Sequence, residues 1–237
     1  YYNERNGLYV DEAPASTVGR ASMLTLAFGI FFFDYDLDGR LDIFAGNGHV
    51  ADDISAVQPS VTHAQAPHVF RNLGGRRFEA ATSRLGSALR RPIVARGAVN
   101  GDFDNDGDLD VLVSTNDGPA KLFRNDGGNQ NRFLRVKTIG TRSNRDGIGA
   151  RVTVSLPNGR QSWQLVHTGS SYCSQSDTAL TFGLGPNHRV DSIEVAWPSG
   201  QIDRTGRVVA NQVAFVQEGR GLLAAKTLPA KGTRLRP

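Results

Sequence analysis

A repeated acidic segment constrains the fold of this chain more than any other feature of its sequence. Residues 28–43 align without gaps with residues 96–111, and both copies contain the pattern Asp-x-Asp-x-Asp-Gly-x-x-Asp. A second shared element, Phe-Arg-Asn-x-Gly-Gly, follows each copy within residues 68–75 and 121–128. Self-similarity of this kind indicates one supersecondary unit that is used repeatedly.

The two units differ in length, and a partial unit precedes them. The first unit carries an insertion within about residues 47–67, which is predicted to be a long surface loop. Residues 1–13 resemble the Phe-Arg-Asn end of a unit, so residues 1–20 are predicted to be the remnant of an earlier repeat.

Short apolar segments near the acidic pattern predict β-strands. Residues 41–45 and 109–114 are rich in apolar and β-branched side chains and are bounded by Gly, Asn and Asp. The three consecutive phenylalanines at 31–33 are predicted to lie in a buried strand that leads into the first acidic pattern. From about residue 131, polar and apolar side chains tend to alternate, which predicts a half-buried antiparallel sheet. Pro-Asn-Gly at 157–159 predicts a hairpin turn within it. The predicted strands of this sheet are 133–138, 150–156, 161–166, 192–197 and 212–216.

The acidic pattern predicts a cation site in each unit. Calcium prefers about six to eight oxygen ligands, and several carboxylates on a tight turn supply them while the Gly permits the bend. Without a cation, carboxylates held so close would repel one another. We therefore predict two Ca²⁺ sites. Their ligands are the side chains of Asp34, Asp36, Asp38 and Asp42 with the carbonyl of Arg40, and the side chains of Asp102, Asp104, Asp106 and Asp110 with the carbonyl of Asp108.

Three other interpretations use the same residues. A solvated turn also favours Asp, Asn and Gly, but two copies with one spacing in matching repeats favour a ligand site. An EF-hand loop has helical flanks and ends in Glu, whereas Ala45 and Val113 occupy that position here and strands flank the pattern. Magnesium demands octahedral geometry and keeps its waters, so a set of protein ligands is more typical of calcium.

Composition argues against several other classes of protein. The formal charge is +4, but the Lys and Arg residues are dispersed, so nucleic-acid binding is not expected. The longest apolar runs, such as 27–33, do not approach the roughly 20 residues that span a bilayer. The single Cys excludes an intramolecular disulfide and a multi-cysteine zinc site, and the five His residues lack metal-ligand spacing.

The sequence also offers no convincing acid, base or nucleophile constellation. Cys173 would need a neighbouring base to act as a nucleophile, and a lone cysteine is more typical of a small buried residue. Trp163, Trp197 and Tyr172 could stack against a sugar, but aromatic side chains on alternating strands are more often core residues. We therefore predict that the chain is not an enzyme.

Two family resemblances cover most of the chain. Residues 28–48 and 96–116 resemble the FG-GAP (VCBS) repeats of integrin α-chain propellers and of many bacterial surface proteins. Residues from about 131 to 218 resemble an ASPIC/UnbV domain, and the order of the two regions is similar to that of the cartilage-acidic-protein-like family. The motifs of the second resemblance are Gly-Ile-Gly-Ala-Arg-Val at 147–152, Gly-Ser-Ser-Tyr-Cys-Ser-Gln-Ser at 169–176, Phe-Gly-Leu-Gly at 182–185 and Val-Ala-Trp-Pro-Ser-Gly at 195–200.

The resemblance implies an all-β chain with two regions. Residues 1–130 would form a partial β-propeller, with FG-GAP blades at about 21–85 and 86–130. Residues 131–219 would form a small antiparallel β-sandwich-like domain, and residues 220–237 a basic tail or linker. Because propellers close with about four to eight blades, the open sheet edges would pair with upstream blades or with another chain.

The function that the resemblance implies is that of a calcium-binding module, extracellular, periplasmic or on the cell surface. It would act in adhesion, in protein or carbohydrate interaction, or in assembly. Its expected partners are a protein or carbohydrate ligand, or neighbouring subunits that complete the propeller. The alternative is an accessory or catalytic protein of a biosynthetic or polysaccharide-processing pathway, since propellers also host enzymes.

Overall fold

The computed structural model of the chain describes residues 1–228. Strands dominate this part of the chain, helices are few and short, and none of the sheets described closes on itself, so the predicted all-β class is confirmed. No helix within this part is long and apolar enough to cross a membrane. In chain order the elements are β1 (Tyr2–Asn3), β2 (Tyr9–Val10), α1 (Thr17–Ser22), β3 (Ala27–Phe33), β4 (Asp42–Asn47), α2 (Ile54–Val57), β5 (His68–Gly74), β6 (Arg77–Ala80), β7 (Ala95–Gly101), β8 (Asp110–Thr115), β9 (Lys121–Phe123), β10 (Arg132–Ile139), β11 (Arg151–Ser155), β12 (Gln161–Leu165), β13 (Leu180–Gly185), β14 (Arg189–Val190), β15 (Ser192–Ala196), β16 (Ile202–Thr205), β17 (Val208–Val209), β18 (Gln212–Gln217) and β19 (Gly221–Thr227).

Each acidic unit folds into one antiparallel sheet. Strands β3, β4, β5 and β6 form the first repeat sheet, and β7, β8 and β9 form the second repeat sheet. The sheets pack through β3 and β7, where a Cβ on Gly29 would lie 2.6 Å from the Cβ of Ala98. Glycine is therefore required for this close approach. The core of the two sheets consists of Phe31, Phe33, Phe44, Val69, Ala81, Ala95, Ala98, Leu109, Val111 and Val113.

Strand β3, which leads into the first acidic loop, is buried on one face only. Phe31 and Phe33 are buried, and the ring of Phe31 stacks on that of Phe44 with centroids 5.3 Å apart. Phe32 points to the opposite face and is 64% exposed, so the prediction that all three phenylalanines are buried is wrong for this residue. In a strand with one buried face, every second side chain is exposed. Three consecutive aromatic residues do not show this alternation in the sequence.

The N-terminal segment forms a hairpin like the end of a repeat unit. Strands β1 and β2 are antiparallel, with Tyr2 opposite Val10. Arg76, which lies between β5 and β6, places its guanidinium 4.2 Å from the ring centroid of Tyr2 and pairs with Glu12 at 2.7 Å. These contacts attach the hairpin to the outer edge of the first repeat sheet.

The insertion of the first unit, predicted as a surface loop over 47–67, contains the single turn α2 and is fixed at its base. The backbone N–H of His49 donates to the carbonyl of His63 at 2.8 Å. The side chain of Asn47 donates to the carbonyl of Ala66 at 2.7 Å. The two ends of the insertion are therefore held together beside β4.

Two four-stranded sheets form a C-terminal sandwich. One sheet has the order β13-β10-β18-β19 and the other has the order β12-β11-β15-β16, while β14 and β17 form a separate ribbon. Residues from both sheets, such as Leu134, Phe182 and Ile193, belong to one buried apolar core. All five strands predicted for this region are present, and the Pro-Asn-Gly turn joins β11 to β12.

The expectation of a purely antiparallel sandwich is wrong for one pair of strands. Strands β10 and β18 are parallel, with Leu134 opposite Gln212 and Ile139 opposite Gln217. Polar and apolar side chains alternate in parallel and antiparallel strands alike, so the sequence pattern does not reveal strand direction.

The segment predicted as a tail or linker, 220–237, begins with a strand. Gly221–Thr227 pairs antiparallel with β18, and Ala225 lies opposite Ala214. This strand is at the edge of its sheet and largely exposed, so its sequence lacks the alternation that a half-buried strand shows. The remainder of the predicted tail, 229–237, lies outside the described residues.

The sandwich packs on the ends of the repeat sheets that carry the acidic loops. Leu37 in the first loop is fully buried, and its carbonyl accepts a hydrogen bond from the N–H of Gly185 at 2.9 Å. In the second loop, a Cβ on Gly107 would lie 1.9 Å from the ring of Phe133. The sandwich therefore covers part of both predicted metal loops.

Gly183 of β13 provides a test of this packing. A Cβ at this position would lie 2.0 Å from Asp34 Oδ2 and 2.6 Å from the carbonyl carbon of Leu37, which is backbone and cannot rotate away. We expect Gly183→Ala to lower the free energy of unfolding by about 1–3 kcal/mol or more, measured by urea denaturation.

The matched control is Gly206→Ala, because a Cβ there would meet no atom within 4 Å. This variant should change the free energy of unfolding by less than about 0.5 kcal/mol. Equal stability of the two variants would show that β13 does not pack closely against the first acidic loop.

Candidate metal centres

The first acidic loop joins β3 to β4 and is folded around two of its own carboxylates. The N–H groups of Asp38 and Gly39 donate to Asp34 at 3.1 Å and 2.8 Å. The N–H of Tyr35 donates to Asp42 at 3.2 Å. Gly39 has a φ of +84°, which allows the sharp turn that brings these groups together.

The second acidic loop joins β7 to β8 and repeats this geometry. The N–H groups of Asp106 and Gly107 donate to Asp102 at 3.0 Å and 3.1 Å. The N–H of Phe103 donates to Asp110 at 2.8 Å. The same hydrogen bonds at equivalent positions show that the two loops have the same local fold.

The repeated Phe-Arg-Asn element holds each loop from the neighbouring strand. The N–H of Asn72 donates to Asp42, and the N–H of Asn125 donates to Asp110, both at 2.7 Å. The side chain of Asn72 also donates to the carbonyl of Leu41 at 2.9 Å. The sequence pattern indicates that this element is part of the repeat, but it does not indicate that the element supports the loop.

Three predicted ligands of each loop converge. One carboxylate oxygen from each residue of a trio lies within 4.8 Å of the other two. Oxygen donors alone suit a hard cation such as Ca²⁺ or Mg²⁺. Acidic clusters that could bind a metal ion are therefore present in both loops. The two trios are Asp34, Asp36 and Asp42, and Asp102, Asp104 and Asp106.

The other two predicted side-chain ligands, Asp38 and Asp110, are not members of these trios. Asp38 accepts a hydrogen bond from the N–H of Arg40 at 2.9 Å and forms an ion pair with its guanidinium. Asp110 is held by the two backbone N–H groups described above. The assignments of Asp38, Asp110 and the carbonyls of Arg40 and Asp108 as ligands stay predictions.

Burial makes the negative charge of the loops costly. It raises the pKa of Asp34 from 3.8 to about 8, where the hydrogen bond from Gly39 lowers the pKa and the neighbouring carboxylates raise it further. Burial likewise raises the pKa of Asp42 to about 7 and those of Asp102 and Asp110 above their ordinary value. A bound cation would remove this cost by compensating the charge.

One oxygen of the second loop also fits a metal ligand. Within residues 1–228, Asp104 Oδ1 is a buried atom with no hydrogen-bond donor. A buried acceptor without a donor is costly unless another partner, such as a cation, occupies its lone pairs. The donor set and this oxygen therefore fit the predicted ion.

Arginine side chains at the loops escaped the sequence analysis. Arg71, from the Phe-Arg-Asn element, binds Asp36 at 2.8 Å. Arg135 of β10 binds Asp102 at 2.8 Å. The contact of Arg71 could have been predicted, because this residue belongs to the repeated element beside the loop. Arg135 lies on a strand of the sandwich, and no sequence pattern indicates which loop that strand contacts.

The aromatic residues considered for sugar stacking are not all core residues. Trp197 is buried, as predicted, and its indole N–H donates to Asp203 at 2.7 Å. The core prediction is wrong for Trp163 and Tyr172, which are 54% and 49% exposed. Cys173 is also exposed, contrary to the interpretation as a small buried residue.

Comparison with known families agrees with these features. The family model "ASPIC and UnbV" matches residues 140–222, and the family model "FG-GAP-like repeat" matches residues 102–154. The second match begins at Asp102 and so contains the second acidic loop. The chain is thus similar to an FG-GAP-like repeat in one region and to ASPIC and UnbV in another, and the predicted resemblance is confirmed.

The similar curated proteins are named cartilage acidic protein 1. The mouse protein is 26% identical over 90% of this chain and 39% of its own length. The human protein is 29% identical over 71% of this chain and 24% of its own length. The Xenopus tropicalis protein is 33% identical over 45% of this chain and 16% of its own length. The chain therefore spans about two fifths or less of these relatives.

The pKa of Asp34 predicts how the metal-free protein responds to pH. The unfolded chain releases the Asp34 proton near pH 3.8, whereas the folded chain retains it up to about pH 8. The stabilising effect of the retained proton is fully present below the lower value and is lost as pH rises through this window. In a chelator, Asp34→Asn should match the wild type near pH 4 and be more stable by about 2 kcal/mol or more near pH 8.

Thermal and urea unfolding across this pH range would measure the difference. Asp52→Asn, at an exposed position in the insertion, is the control and should follow the wild type at every pH. A stability difference for Asp34→Asn that does not vary with pH would contradict the assigned pKa.

Proposed function

We propose that this chain is part of an extracellular, calcium-binding β-propeller protein and acts as an interaction module rather than as an enzyme. The observation that carries the proposal is the convergence of three carboxylates in each of two matching, partly buried loops. The calcium ions would stabilise each repeat sheet by compensating the negative charge of the buried carboxylates. The activity would then lie on the surfaces that the sheets support.

The packing of the two repeat sheets supports a propeller arrangement. Their first strands, β3 and β7, lie against each other, and each sheet is an antiparallel meander, as propeller blades are. The opposite faces carry exposed apolar side chains, including Phe32 and Leu112. Further blades, from the same protein or from a neighbouring subunit, would cover such faces.

Two observations support an extracellular interaction role. The relatives are named after cartilage, a tissue that consists largely of extracellular matrix. A cleft of about 640 Å³ between the first repeat sheet and the sandwich is lined by Phe32, Trp163, Gln164 and His167, among others. Aromatic faces beside polar side chains are suited to a protein or carbohydrate ligand.

Calcium binding is the part of this proposal that can be tested most directly. We expect calorimetry to show uptake of two calcium ions, and Asp36→Asn and Asp104→Asn each to remove one. At a calcium concentration of 100 times Kd, each site would add about 2.7 kcal/mol to the free energy of unfolding. A chelator should then lower the melting temperature by about 5–10 °C for each site that it empties.

Asp52→Asn is the matched control and should bind both ions. The proposal fails if the wild-type chain takes up no calcium and its melting temperature is the same in calcium and in chelator.

A further inference from the structure

The sandwich contacts the first aspartate of the two acidic loops in opposite ways. Over the first loop lies the backbone of Gly183, so close that a Cβ would be 2.0 Å from Asp34 Oδ2. This contact removes water from the carboxylate and brings no charge to it. The sandwich also brings Arg160 to this loop, but that side chain is exposed and donates to the carbonyls of Asp38 and Gly39, at 3.5 Å and 3.3 Å, rather than to Asp34. Within residues 1–228, Asp34 forms no ion pair, and only backbone N–H groups donate to it.

Over the second loop lies an arginine. Arg135 Nη1 donates to Asp102 Oδ2 at 2.8 Å, and Arg135 Nη2 donates to Asp177 Oδ2 at 2.6 Å. The side chains of Arg135 and Asp102 are 6% and 0% exposed. Arg135 and Asp177 both belong to the sandwich, which therefore supplies a fixed positive charge to this loop.

Arg135 is held in place more firmly than the arginines of the first loop. Arg71 and Arg40, which pair with Asp36 and Asp38, are 38% and 41% exposed. Water screens such pairs, and their long side chains can move away when a cation arrives. Arg135 is enclosed and bound by two carboxylates, and its Nε has no acceptor within residues 1–228. Its position is set by those two carboxylates.

A fixed cation changes what a neighbouring metal site can do. A buried guanidinium compensates part of the carboxylate charge when no metal is bound, and it repels a divalent ion that approaches the same carboxylate. Over the first loop, Gly183 does neither, and water screens the charge of the exposed Arg160. Two loops with the same sequence pattern and the same internal hydrogen bonds are thus in different electrostatic surroundings.

We propose that Arg135 acts as a built-in counter-ion that makes the second loop the weaker calcium site and keeps the sandwich attached there when the metal is absent. The first loop is then the tighter site. This inference rests on the proposed calcium binding and adds that the sandwich, not the loop sequence, sets the difference in affinity. Arg135 is a positioning and specificity-determining residue and does not itself ligate the metal.

Replacing Arg135 by methionine tests this assignment, because methionine fills similar space without charge. In the Asp36→Asn variant of this chain, where the first loop is disabled, Arg135→Met should raise the calcium affinity of the second loop at least about tenfold. Arg135→Lys keeps the charge and should stay near the parent affinity. Calcium titrations followed by calorimetry and by chelator competition would give these constants.

The matched control is Arg71→Met in Asp104→Asn protein, which reports on the first loop. Because Arg71 is half-buried and water reaches its pair with Asp36, the affinity there should change less than about threefold. If Arg135→Met folds poorly without metal, it can be purified in calcium and measured by chelator competition alone. The expected gain of affinity would then appear as a slower and less complete loss of calcium to the chelator than in the parent Asp36→Asn protein.

The results separate this inference from the proposed function. Two equally strong sites in the wild type, or a second-loop affinity that Arg135→Met leaves unchanged or lowers, would overturn the inference while calcium binding stands. No calcium uptake by either loop would overturn both.

Discussion

The burial of negatively charged carboxylates is the constraint on which the rest of this structure depends. Each acidic loop places several carboxylates within a few ångströms and then buries the first and the last of them, so that the ordinary ionised form is disfavoured. The chain meets this cost with backbone N–H donors from the loop and from the Phe-Arg-Asn element, and in one loop with a buried guanidinium. With these contacts in place, one oxygen from each of three carboxylates in a loop lies within 4.8 Å of the other two.

The same loops also form the boundary between the two halves of the molecule. Strands β10 and β13 of the sandwich contact the loops through Phe133, Arg135, Gly183 and Gly185, so the loops are partly enclosed by a region that follows them in the chain. Loops at a sheet edge would otherwise be solvated, and their carboxylates would have ordinary pKa values. Any ion in these loops would therefore stabilise the repeat sheets and the contact with the sandwich at once.

Sequence patterns predicted the elements that depend only on residues close to one another in the chain. The acidic loops follow from the spacing of Asp and Gly, and the strands at 133–138 and 212–216 follow from alternation of polar and apolar side chains. The parallel pairing of β10 with β18, the edge strand β19 and the contact of Arg135 with Asp102 escaped prediction, because each depends on which distant segment lies alongside. Exposure of Phe32 and Trp163 was missed for a related reason, since no local pattern says which face of a strand remains uncovered.

The parallel pair β10 and β18 has a consequence for the order in which the chain folds. The repeat sheets are meanders whose neighbouring strands are close in sequence, so they can form as soon as each hairpin has been synthesised. The sheet that contains β10 lacks an inner strand until residues 212–217 have left the ribosome. During synthesis the acidic loops therefore exist for a time without the sandwich, fully hydrated and open to cations from the surrounding solution.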